Sequence, residues 1–300
     1  MIRTGKKFSK PKLSRVINGD DVLPEAALAP EKVRLDHLLV EQHPEYNRAS
    51  LQTFIKQGFV TVDGEVITKP NTKMLPDTKI TLNVPDAPAL PPRPPVIYED
   101  DHVLVIDKPA GLLSMAKGEY CPEATLENYG LLVHRLDRDT SGVVILAKDP
   151  ETQTMLRKQF QDRKTHKTYY AIVEGHPKLD SALIDLPIAR NLKHPTTFQV
   201  AENGKPSQTL YKVLSSNDKY SLLELKPTTG RTHQLRVHLK YLGTPIAGDP
   251  VYGDANSAPR LMLHAGSLEI TIPGQTAGTG NERRTFSASL PPEFSKLMEM

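Results

Sequence analysis

The chain has 300 residues, of which 38% are hydrophobic and 24% are charged, and its formal net charge is only +3. This length fits one large domain or two unequal ones, and the apolar fraction is sufficient for a buried core. The single cysteine, Cys121, excludes an intrachain disulfide and a thiolate metal cluster, which favours a reducing compartment. The longest apolar run, Val143 to Ala147, is far shorter than a membrane span of about 18 residues. We therefore expect a cytoplasmic protein without a secretory signal or a membrane anchor.

The distribution of charge and proline predicts four segments. Residues 1–32 form a basic arm whose first 15 residues carry six cations and no acid: Arg3, Lys6, Lys7, Lys10, Lys12 and Arg15. Such an arm attracts phosphate, or it is a disordered solubilising tail. Residues 33–84 have the pattern of a compact small domain. Six prolines in residues 85–95 predict a stiff linker, and strand and helix patterns then continue through residues 96–300.

The small domain reads as helix, helix and hairpin. Its first helix is predicted from the apolar residues Val33, Leu35, Leu38 and Leu39. Its second helix is predicted from the capping residue Asn47, the apolar residues Leu51, Phe54 and Ile55, and the terminating glycine Gly58. The dipeptide Asp63-Gly64 then predicts a two-residue hairpin turn.

The second predicted helix also has a polar face. Arg48, Gln52 and Lys56 recur every four residues, so they share one side of the helix. Periodicity alone favours a face that is merely solvated. However, residues 34–39, 47–51 and 55–64 resemble the RNA-binding domain named after ribosomal protein S-four. That resemblance implies that Arg48 and Lys56 contact the phosphates of structured RNA.

The densest polar motif of the second half is His134-Arg135-Leu136-Asp137-Arg138-Asp139-Thr140-Ser141-Gly142. It lies between two apolar segments, so it is predicted as a loop between strands, a usual location for catalytic groups. Asp137 and Asp139 are two residues apart and would face opposite ways in an extended segment, which disfavours a shared acid–base pair. From the residues alone, a tight turn with local hydrogen bonds is the favoured explanation of the motif.

Two further segments carry candidate functional residues. Leu235, Leu239 and Leu242 have helical spacing, which predicts a helix with Arg231 in its first turn. A cation there opposes the helix dipole, which is consistent with an anionic partner or with an ordinary surface arginine. Residues 167–173 read as a strand, and either Tyr169 or Tyr170 can face a cleft and stack on a base.

Taken together, these motifs resemble the RluA family of pseudouridine synthases from about residue 97 to residue 265. The resemblance implies that Asp137 is the catalytic aspartate, that Tyr169 and Leu235 enclose the uracil, and that Arg231 pairs with Asp137. It also implies that the loop residues His134, Arg135 and Arg138 hold the flipped nucleotide or its phosphates. Arg236 is expected on the other face of the Arg231 helix, without a role. The connection from Thr125-Leu126 to His134 is about twenty residues shorter than is usual in the family.

The expected fold class is therefore α+β: a helix-helix-hairpin RNA-binding domain, then a catalytic domain with a mixed, mostly antiparallel sheet and flanking helices. The expected enzyme is an isomerase that needs no cofactor and no metal and acts as a monomer. Its expected partner is structured RNA, with ribosomal RNA favoured and transfer RNA as the alternative. Two rivals are a noncatalytic RNA-binding protein and a metalloenzyme that uses some of the histidines His134, His233, His238 and His264.

Overall fold

The computed structural model describes residues 31–84, 92–116, 124–274 and 280–300. The chain divides into two compact units, Met1–Pro85 and Asp86–Met300, which we call the N-terminal unit and the C-terminal unit. Most of the predicted basic arm, residues 85–91 of the predicted linker, and Cys121 lie outside the described residues. No helix in the described ranges is long and apolar enough to cross a membrane.

Within residues 31–84, the part of the N-terminal unit that the structure describes, there are two short helices and five short strands. In chain order they are β1 (Val33–Arg34), α1 (Leu35–Gln42), α2 (Arg48–Lys56), β2 (Val60–Val62), β3 (Glu65–Val66), β4 (Lys73–Met74) and β5 (Ile80–Leu82). Strand β2 pairs with β3 and β5 in one small sheet, and β1 pairs with β4 in another.

Local sequence signals determine most of this unit. The side chain of Asn47 accepts a hydrogen bond from the Ser50 backbone N–H and thereby caps α2, as predicted. The apolar stripe of α2 is buried, and Asp63 and Gly64 both adopt positive φ at the hairpin turn. The first helix begins two residues later than expected, because Val33 lies in strand β1.

In its described residues the C-terminal unit contains twelve strands and three α-helices. In chain order they are β6 (Val96–Glu99), β7 (Val103–Lys108), β8 (Leu131–Leu132), β9 (Ser141–Ala147), α3 (Pro150–Gln161), β10 (His166–Glu174), β11 (Ser181–Asp185), β12 (Ile188–Arg190), β13 (Phe198–Val200), β14 (Gln208–Ser216), β15 (Tyr220–Pro227), α4 (Gln234–Tyr241), β16 (Leu263–Ile272), β17 (Glu282–Ser287) and α5 (Pro292–Met298).

One large sheet organises this unit. Its strand order is β11-β14-β15-β10-β16-β9-β7-β6, with β17 beside β16 and β8 beside β9. Of the pairings between its described strands, only β9 with β16 is parallel. Helices α4 and α5 pack on the β10–β15 part of the sheet, and α3 packs on the β7–β9 part. The predicted α+β class and mostly antiparallel sheet are confirmed.

The sheet splits along one edge of β9. Ser141 and Gly142, at the start of β9, pair with β16, whereas its last two residues pair with β8. Gly142 has φ +112°, and any side chain there would collide with the backbone of Ala265 in β16, so this close approach needs glycine. The segment from β8 to β9 therefore occupies the gap between β8 and β16. That segment carries Asp137.

Candidate active site

Asp137 lies beside an arginine that is itself fixed by a second carboxylate. Arg236, on α4, donates from Nη1 to Asp137 Oδ2 at 3.3 Å. Its Nε and Nη2 donate to the two oxygens of Asp249, each at 2.7 Å. Asp249 is fully buried and Arg236 is nearly so, whereas the Asp137 side chain is 20% exposed. Asp249 therefore fixes the guanidinium, and the guanidinium presents one N–H to an accessible Asp137.

A histidine with unusual backbone geometry borders the same carboxylate. His233 precedes α4 with φ +56°, in the left-handed region that residues other than glycine rarely adopt. Its Nδ1 is hydrogen-bonded with the Tyr252 hydroxyl at 2.8 Å, and its Nε2 lies 3.9 Å from Asp137 Oδ2. Burial lowers the pKa of His233 even though Asp137 is nearby, so the neutral ring is favoured. Tyr252 also lies over the Arg236 guanidinium.

The predicted position and pairing of Arg231 are wrong. Helix α4 begins at Gln234, so Arg231 lies before the helix and not in its first turn. Its Nε donates to the Pro206 carbonyl at 3.2 Å, while Asp137 is paired with Arg236. The left-handed backbone at His233 is what delays the helix, because such a residue cannot continue a helical turn. Arg236, which was expected to have no role, is the arginine at the carboxylate.

An apolar wall lies opposite these charges. Tyr169, on β10, is half-buried and packs against the core cluster that includes Leu136 and Ala265. Burial raises the pKa of the Tyr169 hydroxyl, and the nearby charge of Asp137 raises it further, so the hydroxyl stays protonated. Leu235, on α4, is 7% exposed and lines the same cavity. A flat ring and an aliphatic side chain are thus available to a planar base.

These groups share one cleft of about 460 Å³, a volume typical of ligand sites. Most of the predicted site residues line it: His134, Arg135, Asp137, Tyr169, Arg231 and Leu235. Among the described residues that line it, Asp137 is the one carboxylate, beside five cations: Arg135, Arg163, Lys167, Arg231 and Arg236. The cleft therefore has the electrostatics of a site for a polyanion, with a single negative group in its interior.

His134 supports the Asp137 loop from inside. The Ile145 N–H, which lies in the gap between β8 and β16, donates to His134 Nε2 at 3.2 Å. The ring stacks on Phe160 with centroids 4.7 Å apart. Burial, with a contribution from the charge of Lys167, lowers the pKa of His134 to about 3, so the ring is neutral. His134 thus accepts the hydrogen bond from the β9 backbone that a neighbouring strand would otherwise accept.

A buried lysine holds the other end of the loop. Lys108, which is fully buried, donates from Nζ to the carbonyls of Pro109, Leu112 and Arg138 at 2.8–2.9 Å. Burial lowers its pKa to about 7, against the opposing attraction of Asp139 and Asp137. Arg138 itself is exposed and donates to the Gly111 carbonyl, and it is not among the residues that line the cleft.

The two remaining predicted residues lie in the N-terminal unit. Arg48 donates to the fully buried carboxylate of Asp36 at 2.9 and 3.1 Å, and Gln52 donates to the same oxygen at 2.6 Å. The predicted polar face of α2 is therefore partly tied to α1. Lys56 is exposed, with no ion pair among the described residues.

The four histidines suggested for a metal site have separate protein partners. His238 bonds with Thr209 and the Leu186 carbonyl, and His264 bonds with Ser141. In the part of the chain that the structure describes, no group of three or more His, Cys, Asp or Glu side chains is arranged to hold a metal ion.

Sequence reasoning missed Arg236, Asp249, His233 and Tyr252. The signal available in the sequence was that Leu235 and Val237 flank Arg236; in the structure, residues 234–239 are all buried. An arginine within such a run requires a carboxylate partner. Asp249 lies within the part of the chain, about residues 97–265, that resembles the family, but the contact spans 13 residues and no local pattern indicates it.

Comparison with known proteins agrees with this geometry. Residues 102–241 match the family model of RNA pseudouridylate synthase, and residues 33–80 match that of the S4 domain. The ribosomal large subunit pseudouridine synthase D of Nitrosomonas europaea is 37% identical over 89% of this chain and 84% of that protein. The dual-specificity RNA pseudouridine synthase RluA of Vibrio vulnificus is 42% identical over 61% of this chain and 81% of that protein.

A solved structure extends the agreement to the fold. Human RNA pseudouridylate synthase domain containing 4 superimposes with a TM-score of 0.54 and 28% identity over 68% of this chain and 92% of that one. The chain belongs to the RNA pseudouridine synthase family, whose members are isomerases. The family resemblance of both units is therefore confirmed.

Proposed function

We propose that this enzyme converts specific uridines of large-subunit ribosomal RNA into pseudouridine, with Asp137 as the reacting carboxylate. The observation that carries the proposal is the contrast inside the cleft: one accessible carboxylate, oriented by Arg236, among cations that suit RNA phosphates. The relatives named ribosomal large subunit pseudouridine synthase D, which cover nearly the whole chain, support the choice of RNA.

The reaction breaks the N1–C1′ bond of uridine, turns the base, and joins C5 to C1′. The C5 proton passes to solvent and N1 regains a proton, so the reaction is an isomerisation without a redox change. Because the base must leave its stack to reach a carboxylate inside the cleft, the nucleotide flips into the cleft. Asp137 then acts as a nucleophile or stabilises positive charge at the sugar. Both roles use the charged carboxylate, and Arg236 orients it through a hydrogen bond from Nη1 to Oδ2.

The other residues bind and position the nucleotide in this proposal. The Tyr169 ring stacks on one face of the uracil and Leu235 contacts the other. Arg135 and Arg231 contact phosphates or the sugar at the rim, since Arg135 is exposed and Arg231 is half-buried. His134 maintains the loop. Arg138 lies on the exterior of the loop. In the N-terminal unit, Lys56 contacts RNA phosphates, and Arg48 contributes less because Asp36 partly neutralises its charge.

The choice of RNA is tested by mapping pseudouridines in a strain that lacks the gene. We expect the loss of one or a few pseudouridines from large-subunit ribosomal RNA, restored by the wild-type gene but not by Asp137→Asn. Loss confined to transfer RNA would select the alternative substrate. Unchanged modification of both RNAs would contradict the proposed function. The proposal includes a monomeric, cytoplasmic enzyme, and light scattering of the purified protein tests the first point.

A further inference from the structure

Three residues other than glycine have a positive φ among the described residues: Asp63, Arg163 and His233. Asp63 forms the hairpin turn with Gly64, where such a conformation is required. His233 lies against Asp137 in the cleft. Non-glycine residues with this backbone geometry concentrate at functional sites, because the strain persists only when something else compensates for it. Neither a hairpin turn nor a contact with Asp137 explains the positive φ of Arg163.

Arg163 occupies the position that ends helix α3. The Asp162 N–H bonds to the Lys158 carbonyl, and the Lys164 N–H bonds back to the Gln159 carbonyl at 2.9 Å. Arg163, with φ +57°, is the left-handed residue between them. Glycine is the usual residue at this place in a helix terminus, because it has no Cβ to oppose the conformation. An arginine here works against local stability.

No contact within the described part of the protein explains why a charged residue occupies position 163. Among the described residues, its guanidinium has no hydrogen-bond or ion-pair partner, and it is exposed. A cation at a helix C-terminus does favour the helix dipole, but Lys158 in the last turn already supplies one.

The location of Arg163 explains why an arginine occupies this position. It lines the cleft that contains Asp137. Lys167 lines the same cleft, and its Nζ has one long hydrogen bond, 3.4 Å to the Thr229 carbonyl. Burial lowers the pKa of Lys167 to about 8, so a bound anion would stabilise its charged form. This part of the cleft therefore has two cations with unused donors and no carboxylate among its described residues.

We propose that Arg163 is a substrate-binding residue that holds a backbone phosphate of the RNA strand entering the cleft. Its unfavourable backbone directs the side chain into the cleft, where Lys167 adds a second positive charge. The proposal rests on RNA occupying this cleft, as the proposed function requires, but not on which RNA is modified. It explains why the helix ends in arginine where glycine would fold more readily.

The test uses Arg163→Gly and Arg163→Asn, because glycine and asparagine are the residues best suited to this backbone. The matched control is Lys158→Ala, which removes one positive charge from an exposed position of the same helix outside the cleft. The full-length protein binds a labelled oligouridylate of about twelve nucleotides, and fluorescence anisotropy gives Kd at several salt concentrations. Thermal unfolding is measured in parallel.

We expect both Arg163 variants to bind about five- to tenfold more weakly and the slope of log K against log salt to flatten by about 0.7, the loss of one phosphate contact on a single strand. Their melting temperatures should equal or exceed that of the wild type. Lys158→Ala should leave Kd and slope nearly unchanged. Unchanged binding in the Arg163 variants, an equal loss in the control, or lowered melting temperatures in both Arg163 variants would overturn the assignment.

Failure of the proposed function has a different signature. If the deletion strain keeps all its pseudouridines while the Arg163 variants weaken oligouridylate binding as described, the proposed reaction is wrong and the phosphate site stands. If ribosomal pseudouridines are lost with the gene but the Arg163 variants bind oligouridylate as the wild type does, the proposed reaction is supported and the phosphate site is wrong.

Discussion

Each of the two units contains an aspartate that is paired with arginine. The two carboxylates differ in how many hydrogen bonds they already accept from the protein. Asp36, in the N-terminal unit, is fully buried and accepts five hydrogen bonds, from Arg34, Arg48 and Gln52. Asp137, in the C-terminal unit, is 20% exposed and its side chain accepts one bond from the described residues, at 3.3 Å from Arg236.

This difference separates a structural carboxylate from a reactive one. Burial raises the pKa of Asp36, but the hydrogen bonds from Arg34, Gln52 and Arg48 outweigh that effect and hold the pKa well below its usual range. The lone pairs of Asp36 are occupied by these hydrogen bonds. Asp36 therefore joins α1 to α2 and is not free to react with a ligand. Asp137 keeps most of its lone pairs free. In its case the strong bidentate pairing belongs to Asp249, and the arginine is thereby positioned without saturating Asp137.

The largest expected effect distinguishes the two aspartates by chemistry. Asp137→Asn keeps the shape and removes the charge, so pseudouridine formation should fall below about 1% of wild type while RNA binding stays within a few-fold. Single-turnover assays at saturating enzyme measure the first, and anisotropy the second. Asp36→Asn is the control and should retain near-normal single-turnover chemistry. Appreciable turnover by the folded Asp137→Asn protein would contradict the assigned role.

The reverse contrast should appear in stability. Asp36→Asn leaves two arginines without their shared carboxylate, and we expect the N-terminal unit to lose about 1–3 kcal/mol. The arginines are half-exposed and can turn to water, which limits the loss. Hydrogen exchange of the α1 and α2 amides in the full chain reports it. Protection equal to wild type would show that the Asp36 network contributes nothing.

A pH effect follows from His134. Its pKa falls from 6.5 to about 3 on folding, so the fold favours the neutral ring. The stability that this contributes is complete above pH 6.5 and is lost as pH falls, by up to about 1.4 kcal/mol per pH unit. His134→Gln can accept the Ile145 N–H without titrating. Denaturant unfolding at pH 7 and pH 5 should therefore show a smaller decrease in the variant, and an equal decrease would refute the buried neutral ring.

The smallest effect concerns the face of α2. Lys56 is exposed and free to contact a phosphate, so Lys56→Ala should reduce the salt slope of RNA binding by slightly less than one. Arg48→Ala should act less through charge, because Asp36 partly neutralises Arg48. Lys73→Ala, on strand β4, is a control of equal charge. If it reduces the slope as much as Lys56→Ala, the unit attracts RNA only through its general charge.

Local patterns predicted what depends on neighbours in the chain. The Asn47 cap, the Asp63-Gly64 turn and the glycine after α2 each arise from a few adjacent residues. The motif around Asp137 was recognisable because its residues are contiguous. What failed was the choice of arginine, since Arg231 and Arg236 are five residues apart and the contact to Asp137 spans 99. The left-handed conformation of His233 decides which of them faces the carboxylate, and no helical periodicity reveals it.

The most direct test compares Arg231→Lys with Arg236→Lys. Lysine keeps the charge but cannot hold Asp249 through two bonds while presenting a third N–H to Asp137. We expect Arg236→Lys to lose at least about 100-fold in single-turnover rate, roughly 2.7 kcal/mol of barrier, at a temperature where thermal unfolding shows the variant folded. Arg231→Lys should lose less than about tenfold. A large loss in Arg231→Lys with near-normal rates in Arg236→Lys would contradict the pairing of Arg236 with the reactive aspartate.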